Sequence, residues 1–350
     1  MELKETPEKM VVNGEIVEYG AFKTPFRNIN IKDARIRVAS RKMPGAYSRF
    51  RLKEWQHFGI VAEDFYFGFA IVDTKYLGNS FCYFLDRATD DKVEHDRLSP
   101  PGIAKVSREL WHDDCGFSFK GYRIGVENRL EAGIHRVEVD IKESSDRPGV
   151  RARLEIIEDL EKVEPLILVS PLKGNRPAYT HKVACPARGE VEVGGKTYTL
   201  EEKDGIALID VTKNFYPYRT SWKWATGGGH DSQGRMICLN LSQGDINLDM
   251  DKYHDNVIWV DGKIHFLGLA RFDFDESDVL KPWHIETTNK TCVLDFTPGG
   301  ERWGKVNFGI LMSNFHQPYG AFRGTVLDSE GNSHEISDCF GVTEHHLARF

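Results

Sequence analysis

The sequence predicts an almost all-β protein built from two similar barrel-like halves. Three observations lead there. Helical periodicity is scarce, turn signals cut short β-like runs about every eight to twelve residues, and hairpin-forming dipeptides recur along the chain.

The helical pattern is confined to Ala46–Glu54, between Pro44-Gly45 and Trp55, with a further turn expected at Ala104–Trp111 after Pro100-Pro101. Hairpins are expected at Asn13-Gly14, Gly194-Gly195, Gln233-Gly234, Asp261-Gly262 and Gly331. Around Gly194-Gly195, Val191, Val193, Tyr198 and Leu200 keep a two-residue spacing. Asp261-Gly262 suits a type I′ turn, whose two central residues both take positive φ. Such signals describe antiparallel meanders, not alternating β and α units. Trp55–Val72 repeats the layout of Trp224–Leu241, and the segment beginning at Gly189 echoes that beginning at Gly324. The halves therefore meet where Pro165, Pro171 and Gly174 interrupt the pattern, giving expected domains 1–165 and 166–350. Closing each meander removes an aggregation-prone edge, and a barrel of about eight strands can enclose one small ligand.

Charge narrows the partners. Lys and Arg total 46 against 53 Asp and Glu, and the two signs are interspersed, so nucleic acid is not an expected partner. No run approaches the roughly 18 apolar residues of a membrane span, and the N-terminus lacks the pattern of a secretory signal. The six cysteines show no Cys-x-x-Cys spacing and are expected to be reduced, which points to the cytoplasm. No phosphate loop and no tetrahedral ligand set is present, so neither cofactor nor metal is expected. His345 and His346 are adjacent, and adjacent strand residues point to opposite faces. The sequence sets no oligomeric state.

The densest stretch of chemistry-bearing residues runs from Asp210 to Leu241. Trp222 and Trp224, two apart, share one strand face and form an apolar wall, for a ligand or for the core. Asp210 and Arg219 form either a buried couple or a surface ion pair across the turn at Pro217. Asp210, His230 and Glu344 are the candidate proton donors and acceptors. Arg219, Trp222, Trp224, Asn240, Asn256 and Trp259 are candidates for binding the substrate, together with Gln317 and Tyr319. Asn256 serves either a ligand or the backbone at the start of its strand.

Several strings carry a resemblance. Trp222-Lys-Trp-Ala-Thr-Gly-Gly-Gly-His-Asp, Cys238-Leu-Asn-Leu, Asn256-Val-Ile-Trp-Val-Asp-Gly, Pro282-Trp283, Gln317-Pro-Tyr-Gly and Gly341-Val-Thr-Glu-His resemble a bacterial domain-of-unknown-function family, numbered twenty-eight hundred and four, over most of the chain. More distantly, Gly189-Glu-Val-Glu-Val-Gly-Gly-Lys, Asp210, Trp224 and the strand after Gly234 are similar to the carotenoid 1,2-hydratase and lipocalin-like Diels–Alderase group. That similarity implies two tandem lipocalin-like, calycin-like antiparallel barrels. The hydratase pattern reads Asp-x-Glu-Trp where this chain has Asp210-Val-Thr-Lys, which counts against carotenoid hydration itself.

Three functions follow as expectations. The first is a cofactor-independent lyase, hydratase or isomerase acting by acid/base chemistry on a small, partly apolar molecule. The second is a carrier holding a hydrophobic ligand, and the third a glycan-acting enzyme with a carboxylate pair. Acidic and imidazole groups close to aromatic ones favour the enzyme.

Overall fold

Burial alternates residue by residue along Ile134–Ile141 and Val150–Ile156, the two-residue period of strands with one face toward a core. The computed structural model describes residues 1–231, 233–244, 246–307 and 309–349. It is nearly all β, with two barrel-like sheets, one nearly closed and one a half-barrel. Its single α-helix among the described residues, Gly45–Arg51, lies where the helical pattern is expected.

The first compact unit comprises Leu3–Val169 and Pro177–Phe215. Its main strands are β1 (Lys53–Val61), β2 (Phe65–Asp73), β3 (Gly78–Asp86), β4 (Lys92–Ser99), β5 (Cys115–Phe119), β6 (Tyr122–Arg129), β7 (Ile134–Ile141), β8 (Val150–Ile156), β9 (Arg176–Val193) and β10 (Ile206–Asn214). They pair in the order β4-β3-β2-β1-β10-β9-β8-β7-β6-β5, all antiparallel. The late strands β9 and β10 thus join β8 to β1. For that reason this unit continues to Phe215, beyond the expected join at 165/166. Pro165 precedes a strand, Leu166–Leu172, and Pro171 lies within it, so the prolines do not end the sheet. The core is aromatic and aliphatic, with Phe58 stacked on Phe69 at 4.7 Å.

The second unit takes Ser170–Arg176 and the chain from Tyr216 onward. Its strands are β11 (Arg219–His230), β12 (Met236–Gly244), β13 (Val257–Val260), β14 (Lys263–Phe266), β15 (Ala270–Asp273), β16 (Trp283–Thr287), β17 (Cys292–Asn307), β18 (Met312–Leu327) and β19 (Ser333–Arg349). Their order is β14-β13-β12-β11-β19-β18-β17-β16-β15, so the last strand lies against the first. Its core gathers Ala225, Leu239, Ile258, Trp283, Phe296 and Phe322 on one face.

Turn chemistry behaves as expected. Asn13-Gly14, Gly194-Gly195 and Asp261-Gly262 all have both residues at positive φ. The sequence echo has a backbone counterpart. Gly189 and Gly324 have φ of +135° and +145°, and a Cβ on either would meet a neighbouring carbonyl oxygen at 2.1 Å. Only glycine fits there. All six cysteines are buried thiols outside any disulfide. No helix among the described residues is long and apolar enough to cross a membrane.

Candidate functional site

Strand alternation on β11 sends Ala225 into the core and Trp222 and Trp224 to the opposite face. β19 runs beside it in a register that sets Glu344 across from Trp224 and His346 across from Trp222. The Glu344 carboxylate is held at both oxygens. Trp222 Nε1–H donates to Oε1 at 2.7 Å, and Gln317 Nε2–H donates to Oε2 at 3.0 Å. The His346 ring lies over Trp222 at 4.3 Å, with its Nδ1 3.6 Å from Glu344 Oε1. Ser313 Oγ lies 2.9 Å from His346 Nε2, and Phe315 flanks the same ring at 5.8 Å. Glu344 keeps 13% of its side-chain surface exposed. A carboxylate positioned by two donors, open on one side and beside an imidazole, is equipped to give and take protons.

Other expected residues divide by role. Trp224 Nε1–H donates to Asn240 Oδ1 at 2.8 Å, and Asn240 Nδ2–H to the carbonyl of Asp255 at 2.6 Å, so Asn240 orients the indole. Asn256 is fully buried and accepts the Ser242 N–H at 2.6 Å, the backbone-satisfying role of the two expected. Trp259, opposite Cys238 on the Trp224 face, is 1% exposed and serves as packing. Tyr319 is buried, its ring against Gly300.

Three expected residues have other surroundings. His230 ends β11 six residues beyond Trp224, a separation of roughly 20 Å along the strand. Asp210 sits on β10 of the first unit, where it faces Lys182 Nζ at 3.4 Å and accepts Thr212 Oγ1–H at 2.8 Å. Lys182 therefore replaces Arg219 as its charge partner. Arg219 itself is exposed at the start of β11. Nothing in residue spacing reveals that exchange, because Lys182 reaches Asp210 through the pairing of β9 with β10.

Sequence reasoning also missed a polar network inside the first unit. His135, on the core-facing row of β7, meets Glu158 Oε2 at 2.9 Å, and His181 Nε2 meets Glu158 Oε1 at 2.8 Å. All three side chains are essentially inaccessible. Asn128 Nδ2–H donates to the Asp113 carbonyl, so Asn128 Oδ1 is an acceptor, reached by Gln56 Nε2–H at 3.0 Å and His135 Nδ1 at 2.9 Å. His135 Nδ1 must then carry hydrogen, an assignment made from the network. A second proton lies between His135 Nε2 and Glu158. His181 meets Glu158 through Nε2, and its Nδ1 has no hydrogen-bond partner among the described residues. Burial pushes the Glu158 carboxyl up, but the His181 charge and the bonds from both imidazoles outweigh it and bring the pKa down to about 2. In the same unit, burial likewise opposes ionised Glu54, and Lys213, Lys75 and Lys32 overcome that and bring it to about 2. Lys213 Nζ bonds Glu54 Oε1 at 3.0 Å. The available signal was a histidine in phase with Val137, Val139 and Ile141.

Comparisons with known proteins place the chain. The family model described as Domain of unknown function (DUF2804) matches residues 1–350. The curated proteins contain no match. Among solved structures, a crystal structure of CghA with Sch210972 is similar at 11% identity and a TM-score of 0.53, covering 98% of this chain and 97% of that one. Kievitone hydratase from Nectria haematococca follows at 8% identity and a TM-score of 0.48, covering 85% of this chain and 88% of its own. At such identity, the first likeness shows a shared fold and nothing about activity. That fold is the tandem lipocalin-like arrangement expected from sequence.

Proposed function

This chain belongs to the DUF2804 family over its whole length, and we propose that it is a cofactor-independent acid/base enzyme of the lyase, hydratase or isomerase type acting on a small, partly apolar molecule. The observation that carries the reading is the two-point clamp on Glu344 beside the Trp222 and His346 rings. A carboxyl group so held can deliver its proton to an unsaturated carbon of a substrate lying on the indole face. Positive charge developing next to that carbon is then steadied by the Trp222 ring, a cation–π interaction worth about 1–2 kcal/mol when desolvated. In hydration a water adds to the cation, and its surplus proton returns to Glu344, directly or through His346. Elimination is the reverse, and loss of a different proton gives an isomer. No electrons are exchanged with a third party, and water is the sole co-reactant.

Within this reading Glu344 is the catalytic residue. Gln317 and Trp222 orient it, and Asn240 positions Trp224 in the same wall. Asp210 and His230, expected alongside, have no part in the Glu344 cluster.

The test is to incubate the protein with fractionated small-molecule extracts and follow them by mass spectrometry. Gain or loss of one water, or a new product of unchanged mass, is expected. Glu344→Gln should slow that conversion by about 10²–10⁴-fold with the circular dichroism unchanged. Conversion at the wild-type rate by the variant, or none by the wild type, overturns the proposal.

A further inference from the structure

The core-bearing face of the second sheet carries another set of groups, which Glu344 does not use. Direct cross-strand register aligns Gln243 on β12, Lys223 on β11, His345 on β19, His316 on β18 and Trp303 on β17 as a single rung. With strands about 4.8 Å apart, the rung spans roughly 20 Å. It borders the apolar core, since Leu241 and Ala225, two residues along β12 and β11, belong to that core.

Aromatic rings border the rung. Phe274 stacks on Trp283 at 3.6 Å, meets His345 edge-on at 5.5 Å, and lies 5.1 Å from Lys223 Nζ. Trp303, 61% exposed, stacks parallel to His316 at 6.5 Å. The polar atoms between these rings are only partly committed. His316 Nδ1–H is taken by Glu301 Oε2 at 2.9 Å. Neither ring nitrogen of His345 has a hydrogen-bond partner among the described residues. Lys223 Nζ is 3.2 Å from Glu276, a side chain 61% exposed and readily exchanged for another anion.

We propose that this rung is a binding site for a flat aromatic carboxylate. The ligand's carboxylate replaces Glu276 at Lys223 and accepts a bond from a His345 N–H. Its ring lies against Phe274 and extends toward the His316–Trp303 stack. A cation, an unengaged imidazole and aromatic surfaces in and beside one rung meet each requirement of such a ligand, and an aliphatic or uncharged compound would use only part of them. Because the site lies on the sheet face opposite Glu344, it does not depend on the proposed reaction.

Titrating the intact protein with benzoate by calorimetry, with tryptophan fluorescence as a second signal, tests this. Benzoate should bind, and benzyl alcohol, its uncharged counterpart, should bind at least ten-fold more weakly. Lys223→Met should weaken benzoate at least ten-fold. Glu276→Gln, which removes the competing carboxylate from an exposed position and so leaves folding intact, should tighten it several-fold. Glu344→Gln, on the other face, should leave it unchanged. Absence of benzoate binding, equal binding of benzyl alcohol, or a Glu276→Gln variant no tighter than wild type overturns the proposal.

Discussion

Glu158 and Glu54 in the first unit are 0% and 1% exposed, and each is met by basic groups that leave it no open side. In the second unit, Glu344, His346 and His316 remain partly exposed, and their hydrogen bonds orient them without enclosing them. The same residue types thus serve two ends. A buried carboxylate that lost its partners would strand a charge in a low-dielectric interior, so its network is tied to the fold. A partly exposed carboxylate can change protonation at little cost to folding, the property acid/base chemistry requires. Degree of enclosure, and not residue identity, separates the buried network from the proposed catalytic group.

The sharpest way to break this contrast is to remove one carboxylate from each unit. Glu158→Ala should destabilise the protein by about 3–5 kcal/mol, because His135 and His181 are left buried without their acceptor. Glu344→Gln should cost no more than about 1 kcal/mol, the scale of one hydrogen bond near the surface. Denaturant unfolding of both variants checks this, and equal losses would erase the distinction.

Acid should produce a graded loss to which the enclosed network contributes. Glu158 and Glu54 have native pKa values of about 2, below an ordinary 4.5. A depressed carboxylate pKa contributes stability that is whole above the unfolded value and disappears as pH falls through the native one. Stability should therefore decline between about pH 4.5 and 2, followed by near-ultraviolet circular dichroism. The decline should be smaller in the Glu158→Gln, Glu54→Gln double variant, the remainder coming from other depressed carboxylates such as Asp113.

The smallest effect is expected at Trp222→Phe, which keeps a ring on the wall but loses the N–H that holds Glu344 Oε1. Turnover should fall about ten-fold, the rate equivalent of the 1–1.5 kcal/mol carried by one hydrogen bond, with stability nearly unchanged. An unaltered rate would mean that the Trp222 bond does not orient the carboxylate.

Much of this architecture was legible before any coordinates. Asp261-Gly262 and Gly194-Gly195 specify their turns because positive φ is a local property. The shared face of Trp222 and Trp224, and the opposed faces of His345 and His346, follow from the two-residue period of a strand. The echo between Gly189 and Gly324 was visible for a related reason, since each glycine answers a steric demand at its own position. The Trp222–Glu344 bond could not be read the same way. Its partners are 122 residues apart in sequence.

What the sequence by itself determined was the set of strands, their turns and the face each side chain takes, because these depend on φ, ψ and alternation over a few residues. The tertiary structure alone decided which strands become neighbours and in what register. That choice carried the first unit on to Phe215, gave Asp210 to Lys182, left His230 far along the strand from Glu344, and closed His135, Glu158 and His181 into one network. Register is settled by burying many apolar side chains at once, a cooperative sum over distant segments that no local window of sequence contains.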